Sequence, residues 1–98
     1  ERKRKLAKKY QNFFSLLGIN FLTERKHTQS NFWLNTIVFK NENDKSRFLS
    51  YSNKLNIHTR PAWRLMNKIK PYSRCQKSKL INAEYFSKRL VNLPSSVI

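Results

Sequence analysis

The chain has 98 residues, 39% of them hydrophobic and 13% aromatic, and its 21 Lys and Arg outweigh 5 acidic residues for a formal charge of +16. Such a length fits one domain or a piece of one, able to bury about two thirds of its unfolded surface, and the apolar content is too high for a disordered chain. A membrane helix of ~20 apolar residues, a signal peptide, an internal disulfide (Cys75 is the single cysteine) and a Gly-rich phosphate loop (Gly18 is the single glycine) are all excluded within these residues.

The charge leaves three readings open. A positive potential of this size draws phosphate-rich partners, nucleic acid first among them. Lysine is also an ordinary solvated surface residue. A piece of a larger protein, finally, displays only its own share of the total charge.

In chain order, residues 1 to 17 read as a helix. Leu6, Tyr10, Phe13, Phe14 and Leu17 recur at helical spacing, with Lys5, Lys8, Lys9 and Gln11 on other faces. Gly18 is a stop, since it accepts the left-handed conformation that closes a helix. The start at Glu1 has no capping residue, as expected of a helix cut from a longer chain. Thr23 to Ser30 is polar and reads as a loop or an edge.

Asn31 to Lys40 is the strongest strand signal, rich in aromatic and β-branched residues and nearly continuous in its apolar run, which predicts burial on both faces. Asn41, Glu42, Asn43 and Asp44 supply turn and N-cap chemistry for a second helix. Phe48, Tyr51, Ser52 and Leu55 form its inner stripe. Asn56 follows where glycine is usual, and asparagine is the next-best residue for a left-handed position.

Ile57 to Thr59 is extended ahead of Arg60-Pro61, because a residue before proline is pushed away from helix. Residues 62 to 79 read as loop with a short helix around Trp63 to Ile69. Leu80, Ala83, Phe86, Ser87 and Leu90 mark a third helix, and Val91 to Ser96 is an extended end. About three helices on a small sheet make an α+β (small α/β) domain.

Most catalytic chemistry finds no home in this pattern. His27, His58 and Cys75 do not pair at a zinc-site spacing, so no metal is expected. Cys75 has basic neighbours, Arg74 and Lys77, that can lower a thiol pKa, but nothing else marks it as a nucleophile. The acids Glu1, Glu24, Glu42, Asp44 and Glu84 are scattered. Basic residues interleave with Tyr10, Trp63, Tyr72 and Tyr85, a mix suited to phosphates and bases. The aromatics nevertheless fall mostly on apolar stripes, where they read as core, and no nucleic-acid-binding motif is present.

One ordered set is more specific. Asn56-Ile57-His58-Thr59-Arg60-Pro61-Ala62-Trp63, Pro71-Tyr72, Asn82-Ala83-Glu84 and Asn92-Leu93-Pro94-Ser95-Ser96 together resemble the C-terminal domain of the DegT/DnrJ-type sugar aminotransferases, within them the legionaminic-acid-pathway and perosamine-synthase-like branch. Asn31-Phe32-Trp33-Leu34 is similar to that family's strand after a basic loop, and Lys3 to Tyr10 to its inter-domain helix. Asn56 departs from the family's usual glycine.

The resemblance implies that residues 1–98 are the C-terminal small domain of a fold-type-I aminotransferase, with 1–17 as the end of the inter-domain helix and the large domain outside. It implies an enzyme that uses pyridoxal phosphate to move an amino group from glutamate to a nucleotide-linked keto-sugar for surface glycans. The family's Schiff-base lysine has no counterpart in context here, so no catalytic or cofactor-binding residue is expected in this chain, and the chain alone is expected neither to bind the cofactor nor to catalyse. The expected setting is cytoplasmic, without membrane or nucleic-acid partners, in a homodimeric parent, and the isolated chain can remain monomeric.

Arg60 is the first substrate-binding candidate, because a guanidinium fork suits a glutamate carboxylate or a sugar-nucleotide diphosphate. Its structural alternative is to fix the loop before Pro61. Trp63 either shapes a sugar pocket or joins the core. His58 and Trp33 follow as weaker candidates, while Ser95 and Ser96 read as a surface loop. The alternative function is a small basic nucleic-acid-binding domain.

Overall fold

The computed structural model describes residues 1–97. Helix α1 spans Arg2–Leu16 and stops as its sequence requires. Gly18 takes a φ of +70°, the Ile19 N–H donates to the Phe14 carbonyl at 2.9 Å, and the Gly18 N–H donates to Ser15 at 3.1 Å. This Schellman pair satisfies carbonyls that the helix end would leave open. Ala7 and Phe14 are buried, with Tyr10 half-buried between them.

Phe13 and Leu17 do not belong to that inner row, contrary to the periodic pattern; they are 56% and 58% exposed. The helix meets a narrow sheet along a single line, so side chains offset from that line overhang it. Phe13 instead packs edge-on against Phe14, with ring centres 5.1 Å apart.

Four short strands form one antiparallel sheet, ordered β1 (Asn20–Phe21), β2 (Asn35–Val38), β4 (Leu90–Leu93), β3 (Arg60–Pro61). In register, Ile37 faces Val91 and Phe21, while Thr36 faces Asn92. Side chains alternate across a strand, so Phe21, Ile37, Val91 and Leu93 share the face that meets Ala7 and Phe14 in the core. Ile37 and Val91 are fully buried, each contributing about 2 kcal/mol from apolar burial. On the other face the Thr36 hydroxyl donates to Asn92 Oδ1 at 2.7 Å.

The strand expected over residues 31–40 is shorter, Asn35–Val38. Local side chains win the preceding segment. Ser30 Oγ accepts the Phe32 N–H and Asn31 Oδ1 accepts the Trp33 N–H, both at 3.0 Å, and Phe32 turns to a φ of +50°. Such bonds offer the backbone an alternative to a ladder. Burial on both faces does hold over the core of the strand, where Ile37 and Val38 are both buried.

Helix α2 (Glu42–Lys54) begins at Asn41, whose Oδ1 accepts the Asp44 N–H at 2.8 Å. Its packed row is Phe48, Leu49 and Ser52. The Phe48 ring lies 5.2 Å from that of Phe39, tilted by 46°, and 6.4 Å from that of Phe14. Tyr51 and Leu55, expected on the inner stripe, are instead 65% and 53% exposed, because the sheet below is too narrow to reach them. The helix closes with Asn56 at a φ of +62°, with Ile57 donating to Ser52 at 2.9 Å and Asn56 to Asn53 at 3.0 Å. Gly18 and Asn56 thus terminate their helices in one geometry.

Beyond β3 the chain makes two 3₁₀ turns, Met66–Lys68 and Lys70–Tyr72, where one short helix was expected. Helix α3 is confined to Ile81–Ser87. Leu90, expected as its last inner residue, opens strand β4 instead. The Phe39 N–H donates to the Arg89 carbonyl at 2.9 Å, so sheet pairing captures the chain as soon as the helix ends. The expected extended end becomes an inner strand, and three helices with a four-stranded antiparallel sheet realise the small α+β domain.

Candidate functional site

Trp33, the stretch from His58 through Arg60 to Trp63, and Ser95 come from three separate parts of the sequence, yet together with Lys3 they line one open depression of about 340 Å³. The sheet explains the convergence. Trp33 stands two residues before β2, Arg60 opens β3, and Ser95 lies two residues beyond β4. The paired ends of these antiparallel strands bring the three stretches together, with Arg60 opposite Asn92.

The aromatic walls face solvent. Trp33 is 64% exposed and Trp63 81% exposed, so the core reading of Trp63 does not hold. Tyr72 and Tyr85, also read as core, are exposed as well. His58 is exposed at the rim, whereas its neighbour Thr59 is buried.

Arg60 is held on one side. Its Nη1 donates to Asn53 Oδ1 and to the Thr59 carbonyl, each at 2.8 Å. Asn53 is fixed in turn, its Nδ2 donating to the Leu49 carbonyl at 2.8 Å and to Thr59 Oγ1 at 3.0 Å. The Thr59 and Ser52 hydroxyls meet at 2.5 Å in the buried interior. The second cation, Lys3, donates from Nζ to the Ser95 carbonyl. Neither Arg60 nor Lys3 has a carboxylate within ion-pair reach among the described residues. Two cations without a carboxylate partner, in a depression that two indole rings also line, suit an oxyanion joined to a flat or apolar body.

Family-like motifs in the sequence mark Trp33, His58, Arg60 and Trp63 but neither Lys3 nor Asn53. Lys3 sits in the run Arg2-Lys3-Arg4-Lys5, where nothing local separates it from its neighbours. Asn53 reads as one more polar residue on a helix, and its role needs the turn at Asn56 to bring Thr59 and Arg60 back beside it.

The other ionisable groups serve the scaffold. Glu24 accepts the Ser30 N–H at 2.8 Å and pairs with Arg4 at 2.7 Å; the backbone bond first and the guanidinium second hold its carboxyl below the usual range. Tyr10 donates to the Pro94 carbonyl at 2.8 Å, and its burial raises the phenol pKa. Among the described residues no three His, Cys, Asp or Glu gather as metal ligands, and no helix is long and apolar enough to cross a membrane.

A Schiff-base site for pyridoxal phosphate needs a sheltered lysine, a carboxylate for the ring nitrogen and a cup for the phosphate. The described residues do not fit that requirement. Every lysine except Lys3 and Lys45 is exposed. Glu1, Glu24 and Glu84 are paired with Lys5, Arg4 and Lys68, and Glu42 and Asp44 sit in the first turn of α2.

Residues 1–97 match the family model described as the DegT/DnrJ/EryC1/StrS aminotransferase family. No curated protein matches the chain. With the match covering nearly its whole length, the chain belongs to that aminotransferase family.

Proposed function

We propose, from that membership, that these residues are the small domain of a pyridoxal-phosphate-dependent aminotransferase and that the Arg60 depression is one wall of its substrate cleft. The amino donor is glutamate and the acceptor a nucleotide-linked keto-sugar of surface-glycan synthesis, in the branch that handles legionaminic-acid and perosamine precursors. The cofactor, when bound, supplies the electron sink for amino transfer; it and its lysine lie in a large domain outside these residues, and the working enzyme is a cytoplasmic homodimer. What carries the reading is the convergence of Trp33, His58, Arg60 and Trp63 around one depression.

Within this division of labour the chain binds and orients. Arg60 takes a carboxylate or phosphate, Lys3 adds a second positive charge, and Trp33 and Trp63 flank the attached body and narrow the access of water. The reading is preferred to a nucleic-acid module because the family match accounts for residues 1–97 as a unit.

The test is Arg60→Ala in the cofactor-loaded enzyme that carries this domain. The Michaelis constant for glutamate or for the nucleotide sugar should rise about tenfold or more, as expected for loss of a charge-assisted contact. The melting temperature should shift by only a few degrees. An unchanged Michaelis constant with a lowered melting temperature makes Arg60 a loop-fixing residue and overturns the proposal.

A further inference from the structure

We infer that Asn53 is a positioning residue that restricts Arg60 to one mode of anion recognition, a two-oxygen acceptor bound side-on through Nε and Nη2. The inference rests on the proposed role of Arg60 and goes beyond it, by assigning a function to a helix residue outside the depression and by naming the edge of the fork that remains available.

A guanidinium has five N–H groups, two on each terminal nitrogen and one on Nε. The Nη1 of Arg60, with two hydrogens, has two protein acceptors, Asn53 Oδ1 and the Thr59 carbonyl, at 2.8 Å each. The end-on edge, which pairs Nη1 with Nη2, therefore cannot be offered to a ligand without breaking a protein bond. What remains is the side-on edge, where one Nε hydrogen and one Nη2 hydrogen run parallel at the spacing of carboxylate or phosphate oxygens.

Asn53 is itself held in place. Its amide can be assigned from the network: with the two Nδ2 hydrogens shared among the Leu49 carbonyl, the Thr59 carbonyl and Thr59 Oγ1, Oδ1 is the atom turned to Arg60. Thr59 is 1% exposed and is tied to Ser52, which is 4% exposed. The left-handed turn at Asn56 brings this strand start back against the end of α2. The chain of contacts runs from a buried hydroxyl pair to a solvent-facing guanidinium. That arrangement removes rotamer freedom from a long side chain before the ligand arrives.

The same fork chemistry admits two sources, the carboxylate of glutamate or the diphosphate of the sugar nucleotide, and the experiment separates them. In the cofactor-loaded enzyme, Asn53→Ala, Arg60→Ala and the double variant are each assayed with glutamate varied and then with nucleotide sugar varied, alongside melting temperatures. Asn53→Ala should raise the Michaelis constant of one substrate roughly five- to tenfold, the scale of one ordinary net hydrogen bond, leaving kcat and the other substrate's constant nearly unchanged. Arg60→Ala should raise the constant of the same substrate. The double variant should be no worse than Arg60→Ala alone, because a residue acting only through Arg60 has nothing left to position. Arg60→Lys, which keeps the charge without the fork, should resemble Arg60→Ala.

Additive losses in the double variant, or a raised constant for both substrates together with a lower melting temperature, make Asn53 a purely structural residue and overturn the inference. If Arg60→Ala itself changes neither constant, the cleft proposal fails and the positioning role fails with it. If Arg60→Ala is defective and Asn53→Ala is not, only the positioning role falls.

Discussion

The sheet with its two long helices and the segment from Ala62 to Leu80 belong to one chain but obey different rules. The first region is built on side chains with nowhere else to go: Ile37 and Val91 are fully buried, and Ala7, Phe14 and Leu93 nearly so. In the second, every residue from Lys70 to Lys79 is exposed. Arg64, Lys68, Lys70, Arg74, Lys77 and Lys79 fall in this stretch without a single acidic residue. The radius of gyration, 15.0 Å, exceeds the ~13 Å of an average domain of this length, as expected if one segment stands off a small core. Burial fixes the first region, and local turns fix the second.

The sharpest way to break this contrast is to remove volume from the core. Ile37→Ala deletes buried methyl groups at the point where β1, β2 and β4 meet under α1. It should cost about 2–5 kcal/mol, enough to threaten folding of a domain this small. Exchanging an exposed cation of the second region, such as Lys77→Gln, should stay within about 0.5 kcal/mol. Thermal or urea unfolding followed by circular dichroism compares the two directly. Similar costs at both positions mean that the second region is not the looser one.

This contrast also explains what could be read in advance. The end of α1 and both ends of α2 were legible, because capping is local: Gly18, Asn41 and Asn56 all act where their chemistry points. Strand β1 was not, since two residues carry no periodicity. The strand at 31–40 was overextended because apolar patterning does not reveal that Ser30 and Asn31 will bind the next backbone amides. Leu90 fits the helical spacing of Leu80, Ala83 and Phe86 as well as it fits a strand, and only pairing with Val38 decides. Phe13, Tyr51 and Leu55 lie on the right stripes but beyond the edge of a narrow sheet. For the depression, family-like motifs named Trp33, His58, Arg60 and Trp63, whereas Lys3 and Asn53 become visible only once distant segments meet.

A finer comparison lies within the well-packed region, between its two helix ends. Gly18 and Asn56 both adopt left-handed backbone and both close a Schellman motif. Around Gly18 an added Cβ meets nothing within 4 Å, so Gly18→Ala isolates the conformational cost, about 1 kcal/mol. Asn56→Gly should change stability by only a few tenths, since asparagine already tolerates the geometry. Asn56→Ala should approach the cost at Gly18. If Asn56→Ala is neutral, backbone conformation is not what asparagine contributes there.

The smallest effect concerns the loop from Thr23 to Ser30, where an ion pair and a backbone bond replace a core. Glu24 ties the loop to α1 through Arg4 and closes it through the Ser30 amide, and these contacts lower its pKa in the folded protein. A carboxyl whose folded pKa lies below its unfolded value contributes stability above the unfolded value, and loses it as pH falls through the folded one. The window therefore opens near the ordinary 4.5 and extends downward. Glu24→Gln should melt slightly below the unmodified protein at neutral pH, and the gap should close as pH drops below that value. Taking the difference between the two proteins cancels the contribution of every group they share. Because the pair is partly exposed, added salt should shrink the neutral-pH gap as well. A gap that persists unchanged to pH 2 means that the Glu24 carboxylate charge does not hold the loop.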